Sequence, residues 1–345
     1  DYKPDAKTPD KLDVLITSKN HDVKISRAEN ADSEAWLFAL ISLQTTTGLL
    51  GKGSGGGMNR GIGRMNKGYG SRSRVGWQAT TRAGPQFVRD VSVLLTTRAT
   101  LLQPPHPYAQ SGKVLLWIAP WDGSGSNALA SLDPFFIEIA RRVQLRSEVT
   151  GIRAYASGSA ANFVAGEQLA GNLGDPWTPI TQKTNGALTV QENGFTPELL
   201  QKLIFGDGYT PAAMQRADSS AAGGWFSASV LVRGQGRTDG FHSATIRVPE
   251  KPRIALFGGG AARDRLALLS KKGIDAASTI QYKALRPALF SLIEGGPESI
   301  AVDKAEISKW VDHASNPFAL NWNPRYFDWL WSTVEFSNDD EALRP

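Results

Sequence analysis

The sequence predicts an α+β protein, in which mixed strands and helices are followed by a helical C-terminal region. The chain has 345 residues, enough for roughly two domains of about 100–200 residues each. Two apolar segments, residues 226–232 and 242–248, flank a polar tip and are typical of a β-hairpin. After Pro249 the composition changes, and helical periodicity dominates residues 261–294 and 303–336.

In the N-terminal part, the sequence predicts one helix whose first turn has a recognisable capping residue. Asp32 or Ser33 can cap a helix running to about Gln44, because four apolar residues then share one face: Trp36, Ala39, Leu40 and Leu43. Residues 88–102 are apolar and favour β-structure, and residues 114–120 are typical of a buried strand. Asp133 followed by Pro134 is typical of a helix start, so we expect a helix over residues 133–143.

Proline is expected to interrupt both C-terminal helical segments. Pro287 lies inside the first segment and should kink it. The second segment should be interrupted near Pro317 and near Pro324.

Composition excludes several classes of protein. The chain has no cysteine, which removes disulfides, thiolate metal sites and cysteine nucleophiles and agrees with a reducing cytosol. Its longest apolar run, residues 114–119, is far shorter than the ~20 residues of a membrane span. The N-terminus lacks the basic and apolar regions of a signal peptide. We therefore expect a cytoplasmic protein with no membrane partner.

No motif predicts catalysis, a metal or a cofactor. Lys52 is followed by Gly53, whereas a phosphate-binding P-loop needs Ser or Thr there. Arg263 occupies the third glycine position of a possible dinucleotide turn at residues 257–263. None of the four histidines has a partner at metal-ligand spacing; they are His21, His106, His242 and His313. We therefore expect no catalytic residue, no metal and no cofactor, although catalytic groups can converge from distant positions.

Positive charge is concentrated in one window of the chain. Residues 51–100 hold nine Lys and Arg but only one acid, Asp90, so this window carries +8 and the other 295 residues carry −3. Such a distribution is typical of a protein that binds a polyanion. A solvated basic loop is the alternative interpretation.

The same window contains a glycine-rich segment. Ten of the 23 residues 48–70 are glycine, which predicts a long loop that is either functional or disordered. Without side chains the backbone can approach phosphates and base edges, and the interspersed Lys and Arg add affinity for any sequence. A thin ribbon of this kind suits the narrow minor groove of DNA. A disordered tether is the alternative, but a plain tether would lack the apolar residues found here: Met58, Ile62, Met65 and Tyr69.

Two further features could contact nucleic acid. The hairpin tip carries Gln235, Arg237 and Thr238 between glycines and could enter a groove or separate base pairs; an ordinary turn is the alternative. Five aromatic residues near the C-terminus could stack on bases, but their helical spacing favours core packing: Trp322, Tyr326, Phe327, Trp329 and Trp331.

Seven stretches, in order along the chain, resemble the CasA family, the large subunits of the type I-E CRISPR surveillance complex Cascade. One of them is Gly174-Asp175-Pro176-Trp177-Thr178-Pro179. The others are residues 12–22, 39–48, 61–72, 132–138 with 141–143, 231–240 and 282–290. The resemblance implies a mixed α/β DNA-recognition domain with a glycine-rich loop, placed at residues 1–250, and part of a four-helix bundle at residues 251–345.

The resemblance also implies a function without catalysis. Such a subunit reads the protospacer-adjacent motif of double-stranded DNA from the minor groove and opens the duplex so that the guide RNA can pair. It assembles with the other Cascade subunits and recruits a helicase-nuclease. The loop Lys19-Asn20-His21 would touch the motif and the 5′ end of the guide. The minor groove would be approached by the loop residues Gly51, Lys52, Gly53, Gly57, Asn59 and Arg60.

The strand wedge would lie at Gln235, Arg237 and Thr238. Gln235 is preferred over Asp239 as its tip, because an acid would repel phosphate. The lysine that some members insert into the minor groove has no counterpart, since no Lys lies between Arg153 and Lys183. Family members are also longer at both ends than this chain. Two other functions stay open: a nucleic-acid-processing enzyme that holds its substrate with the basic loop, and a packaging protein without motif preference.

Overall fold

The computed structural model describes residues 2–12, 32–46, 73–137, 142–158, 161, 163–217, 223–233, 238–294, 305–336 and 338–342. The chain divides into two units. Unit 1 comprises Asp1–Phe195, Gly208–Arg216 and Ser227–Thr245, and unit 2 comprises Thr196–Asp207, Ala217–Phe226 and Ile246–Pro345. Within the described residues, no helix is both long and apolar enough for a membrane span.

Small sheets and helices together confirm the predicted α+β class. The described strands are β1 (Lys3–Pro4), β2 (Arg74–Gln78), β3 (Lys113–Leu115), β4 (Leu132–Ile137), β5 (Arg142–Glu148), β6 (Gly151–Ser157), β7 (Ile180–Thr181), β8 (Gly186–Ala187), β9 (Tyr209–Thr210), β10 (Gly224–Arg233) and β11 (Thr238–Val248). They form sheets in the orders β1-β6-β5, β11-β10-β2, β3-β4 and β8-β7-β9. The described α-helices are α1 (Ser33–Thr46), α2 (Ala83–Leu101), α3 (Pro197–Phe205), α4 (Glu250–Gly258), α5 (Gly260–Thr279), α6 (Arg286–Glu294), α7 (Ala305–Trp322), α8 (Tyr326–Ser332) and α9 (Asp339–Ala342).

Helix α1 forms where the sequence predicts it. The carboxylate of Asp32 accepts a hydrogen bond from the Ala35 amide at 2.8 Å, which caps the first turn. Trp36, Ala39 and Leu43 are each no more than 2% exposed. The predicted start and the predicted apolar face are therefore both confirmed.

The predicted hairpin strands are also confirmed, as β10 and β11. Alternate residues of β10 face a core and are each 3% exposed: Phe226, Ala228, Val230 and Val232. This alternation is what a strand with one buried face requires.

Residues 88–102, predicted to be β-structure, belong to helix α2, so that prediction is wrong. The helix is anchored by polar groups: the Gln86 side chain donates to Asp90 at 2.8 Å, and the Thr97 hydroxyl donates to the carbonyl one turn earlier at 2.7 Å. Phe87 and Leu95 are 69% and 64% exposed, so the apolar residues of this segment do not form the buried face of a strand. Local β-propensity is overridden by tertiary contacts of the helix, such as the Arg89 side chain donating to the Met214 carbonyl at 3.0 Å.

The predicted strand over residues 114–120 is wrong for most of its length. Strand β3 ends at Leu115, and a 3-10 turn, Leu116–Ile118, follows. Leu116 is fully buried, but Ile118 is 72% exposed. One buried leucine anchors this segment, which is not buried as a whole.

The helix predicted from Asp133 is wrong, because residues 132–137 form strand β4. Asp133 is 4% exposed, and its carboxylate accepts a hydrogen bond from Arg98 Nε at 2.9 Å. The Phe135 amide also donates to this carboxylate at 2.8 Å. Asp133 and Pro134 resemble a helix start in the sequence. In the structure, Asp133 is instead the buried carboxylate of an ion pair with Arg98.

Unit 2 confirms the helical C-terminal region and corrects its interruptions. A π-helix, Ile280–Leu285, joins α5 to α6 and ends just before Pro287, where a kink is predicted. Helix α7 continues through Pro317, so the break predicted there is wrong. The break predicted near Pro324 is confirmed as the 3-10 turn Asn323–Arg325.

The C-terminal aromatic residues pack inside unit 2. Tyr326, Phe327 and Trp331 are 1%, 7% and 5% exposed. The Tyr326 hydroxyl lies 2.6 Å from the Ser270 hydroxyl and donates to the Ser270 carbonyl at 3.2 Å. Burial raises the pKa of Tyr326 well above its ordinary value. For these three residues, core packing rather than base stacking is confirmed.

Candidate nucleic-acid interface

Almost all of the predicted contact residues lie outside the described residues. These are Lys19, Asn20, His21, Gly51, Lys52, Gly53, Gly57, Asn59, Arg60, Gln235 and Arg237. Thr238 is described only as the first backbone position of β11. All of these assignments stay predictions, and the structure instead describes the residues from which the predicted segments depart.

The three predicted contact segments begin beside one hydrophobic cluster in unit 1. We name this the root cluster, and it contains Ala6, Leu12, Trp36, Ala39, Leu43 and Ala154, with Leu231 packed against it. Leu12 immediately precedes residues 13–31, which hold the Lys19–His21 loop. Leu43 lies four positions before residues 47–72, and Leu231 lies three positions before residues 234–237. The segments are thus held at their start by a shared core.

The sheet β1-β6-β5 supplies the other wall of the root cluster. Val143 and Leu145 of β5 and Ile152 of β6 pack against it. Ala154 is fully buried, and its amide donates to the Ala6 carbonyl at 3.0 Å. No sequence motif predicts that these residues meet; the one signal available is that each predicted segment closely follows a leucine in an apolar stretch.

After the glycine-rich segment, the described chain resumes at Ser73 and is fixed where β2 begins. The Ser73 amide donates to the Leu188 carbonyl at 3.3 Å, and the Val75 amide donates to the Trp177 carbonyl at 2.7 Å. The Arg74 guanidinium lies 5.7 Å from the centre of the Trp177 ring, a cation–π distance. The described residues on both sides of the glycine-rich segment are therefore anchored in unit 1.

The turn at residues 174–179, one of the stretches that carries the family resemblance, provides this second anchor. Gly174 has φ = +71°, and a Cβ there would lie 2.7 Å from a methyl carbon of Leu101, so the position favours glycine. The Asp175 carboxylate accepts from the Trp177 amide at 3.0 Å. The Thr178 hydroxyl donates to the Ser73 carbonyl at 3.3 Å. This motif therefore positions the residue at which the described chain resumes after the glycine-rich segment.

The hairpin shares a sheet with β2, the first described strand after the glycine-rich segment. Strand β2 lies beside β10, and the Ser227 hydroxyl of β10 donates to the Gly76 carbonyl at 3.3 Å. The two predicted DNA-contacting elements are therefore linked twice, through the root cluster and through this sheet.

Two arginines of the basic window have structural roles. Arg89 is 8% exposed in its side chain, pairs with Asp90 at 2.8 Å and donates to the Met214 carbonyl at 3.0 Å. Arg98 pairs with the buried carboxylate of Asp133. The charges of these two arginines are compensated within the fold, so the positive charge of the window that is left for a polyanion is smaller than the sequence count.

The described residues offer no metal site: within them, no group of three or more His, Asp or Glu residues could hold a metal ion.

Among the comparisons with known proteins, only the comparison of structures finds proteins with a similar fold. No protein-family model matches the chain, and no curated protein matches it. The crystal structure of the CRISPR-associated protein Cse1 from Acidimicrobium ferrooxidans superposes with a TM-score of 0.59 at 13% sequence identity, covering 99% of this chain and 69% of that one. The chain has the Cse1/CasA fold.

A second structure supports the same fold. The crystal structure of CasA from Thermus thermophilus has a TM-score of 0.51 at 13% identity and covers 91% of this chain. The chain spans only 64% of that protein, so it corresponds to about two thirds of the solved Cse1/CasA chains. The resemblance seen in the sequence is thereby confirmed at the level of the fold.

Proposed function

We propose that this chain is the large subunit of a type I-E CRISPR Cascade complex. It recognises the protospacer-adjacent motif of double-stranded DNA from the minor groove and helps to open the duplex for pairing with the guide RNA. It works in the cytoplasm with the other Cascade subunits, recruits the helicase-nuclease and catalyses no reaction itself. Residues 1–250 form the DNA-recognition domain and residues 251–345 form part of a helical bundle.

The observation that carries this proposal is the root cluster within a Cse1/CasA fold. Three segments that lie far apart in the sequence begin around a single core, at Leu12, Leu43 and Leu231. A site that reads a short motif and then separates strands needs its parts held in a fixed relation, because base contacts require positioning of the whole protein on the duplex.

Each segment has a distinct role in the proposal. Lys19, Asn20 and His21 contact the motif and the guide RNA. The glycine-rich loop lies along the minor groove, with Lys52 and Arg60 on phosphates. Gln235, Arg237 and Thr238 form the wedge at the hairpin tip.

The test is binding of the purified chain, alone and with a guide RNA and the other Cascade subunits, to labelled duplexes that differ only in the candidate motif. The proposal predicts tighter binding to one motif and no cleavage of duplex in the presence of a divalent metal. Cleavage without partner proteins would instead support a nucleic-acid-processing enzyme. Equal affinity for every motif would support a packaging protein.

Recruitment of the helicase-nuclease is tested separately. Complex assembled on target DNA should retain that enzyme in a pull-down, and complex lacking this chain should not. Equal retention by both complexes would contradict the recruiting role.

A further inference from the structure

The sheet β1-β6-β5 has a second face that the proposed function does not use. Strand register pairs Gln144 of β5 with Tyr155 of β6 and Arg146 with Arg153. Because side chains alternate along a strand, these residues lie on the face opposite to the one that packs on the root cluster. We name this surface the arginine face, formed by Tyr2, Arg142, Gln144, Arg146, Arg153 and Tyr155.

The arginines of this face are stacked on aromatic rings. The Arg146 guanidinium lies 4.4 Å from the centre of the Tyr155 ring and 6.0 Å from that of Tyr2. The Arg142 guanidinium lies 5.3 Å from the Tyr2 ring and 5.8 Å from the Trp121 ring. A stacked guanidinium keeps a planar surface for another ring and N–H groups for phosphate.

Arg146 is the member of this face that is most open to a ligand. It is exposed, and its Nε and Nη2 donate to the Gln144 side-chain oxygen at 3.2 Å and 3.0 Å. Its Nη1 makes no hydrogen bond within the described residues. Arg142 lies four residues away on the same strand, about 13 Å at the usual rise. Its Nη1 donates to the Ser157 hydroxyl at 3.2 Å and to the Gly158 carbonyl, while its Nη2 makes no hydrogen bond within the described residues. Two cationic positions therefore follow one line along β5.

The acids near the arginine face are engaged by other groups. Glu148 accepts a hydrogen bond from the Tyr155 hydroxyl, which raises the pKa of that tyrosine, and lies 4.0 Å from Arg153. The Asp122 carboxylate accepts from the Ser124 amide and hydroxyl at 2.9 Å and 2.8 Å, and these hydrogen bonds lower its pKa. The surface presented by Arg142 and Arg146 is therefore positively charged.

We propose that the arginine face binds single-stranded nucleic acid. A base stacks on the outer plane of the Arg146–Tyr155 pair, and phosphates accept hydrogen bonds from Arg142 and Arg146. Charge alone would also attract a duplex, but the bases of a duplex are stacked on one another and cannot use the arginine and tyrosine planes. This site goes beyond the proposed function, because it uses none of the residues assigned to the motif, the minor groove or the wedge.

The experiment measures binding of the full chain to fluorescein-labelled oligouridine, oligothymidine and a blunt duplex of equal length. Arg146→Ala should weaken single-strand binding about tenfold, the size typical of removing one stacked side chain. It should also reduce the slope of log Kd against log salt by about 0.7, since one phosphate is no longer neutralised. Arg247→Ala removes an exposed arginine from another strand, β11, and should change neither quantity.

Conservative variants separate stacking from charge. Arg146→Lys keeps the charge but loses the plane, so it should restore only part of the affinity. Tyr155→Phe keeps the ring and should bind like the wild type, whereas Tyr155→Leu should bind more weakly. Full recovery with Arg146→Lys would overturn the stacking assignment.

The proposal is overturned if the wild-type chain binds neither single strand, or if Arg146→Ala and Arg247→Ala bind the single strands alike. Replacing Lys52 and Arg60 with Ala should weaken duplex binding more than single-strand binding, whereas Arg146→Ala should weaken single-strand binding more, so failure of the loop assignment and failure of this site give different results. A loss confined to the Lys52 and Arg60 variant would place single-strand binding in the loop and overturn the arginine face.

Discussion

The root cluster makes a strong prediction about Leu43, which is the cluster residue of helix α1 nearest in sequence to the glycine-rich segment. Its side chain is 1% exposed, so Leu43→Ala removes buried carbons from a filled core and should lower the free energy of unfolding by about 3 kcal/mol. For a unit of this size each kcal/mol shifts Tm by about 2–4 °C, which gives a shift of roughly 6–12 °C.

Leu37 on the same helix is the matched control. It is 55% exposed, so Leu37→Ala should change the free energy of unfolding by no more than about 0.5 kcal/mol. Both substitutions replace leucine by alanine within α1, which cancels differences in helix propensity. Thermal unfolding gives the stability of each variant, and fluorescence anisotropy with labelled duplex below both transitions gives its affinity.

Duplex affinity should fall for Leu43→Ala and stay unchanged for Leu37→Ala, because only the first loosens the shared base of the three segments. Equal shifts in Tm for the two variants would refute the assignment of Leu43 to a buried cluster. A large loss of stability without any loss of affinity would refute the link between this cluster and the interface.

Three further perturbations test the loop, the wedge and the buried tyrosine. Replacing Lys52 and Arg60 with Ala should reduce the slope of log Kd against log salt by about 0.9 for each duplex phosphate that is no longer neutralised, measured by anisotropy; an unchanged slope would exclude both contacts. Replacing Gln235 and Arg237 with Ala should impair strand opening, followed by a fluorescent adenine analogue beside the motif, more than it impairs binding; equal losses would contradict the wedge. The raised pKa of Tyr326 means that its neutral phenol contributes stability that is complete below about pH 10 and is lost at higher pH. Tyr326→Phe should therefore lose less stability than the wild type between about pH 8 and pH 11 in urea unfolding, and an identical loss in both proteins would contradict the burial effect.

The elements that the sequence predicted well are those decided by neighbouring residues. Helix α1 is specified by its Asp32 cap and by an apolar face at helical spacing. The strands β10 and β11 alternate in burial around a polar tip. Tyr326, Phe327 and Trp331 have helical spacing and are buried in the structure.

Two of the wrong predictions have a partner far along the chain as their physical cause. In the sequence Asp133 resembles a helix cap, but in the fold it pairs with Arg98, which lies 35 residues earlier. Residues 88–102 resemble β-structure because local propensity does not include the polar anchoring of Gln86 and Arg89. A basic window counted from the sequence likewise includes arginines whose charge is compensated by the fold.

The candidate site was predicted as three separate segments, and their common origin could not be predicted. The sequence shows only that each of three leucines lies in an apolar stretch: Leu12, Leu43 and Leu231. No local pattern indicates that they meet in the fold. The β5–β6 hairpin was missed because one face of β5 is polar, with Arg142 and Arg146 at alternate positions, and a short strand of this kind has a weak apolar signal.

The measurement that tests the central claim most directly is methylation interference with dimethyl sulfate on a duplex carrying the preferred motif. This reagent modifies adenine N3 in the minor groove and guanine N7 in the major groove. Binding through a glycine-rich ribbon in the minor groove predicts interference at adenine N3 within the motif and none at guanine N7. Interference confined to guanine N7 would contradict it.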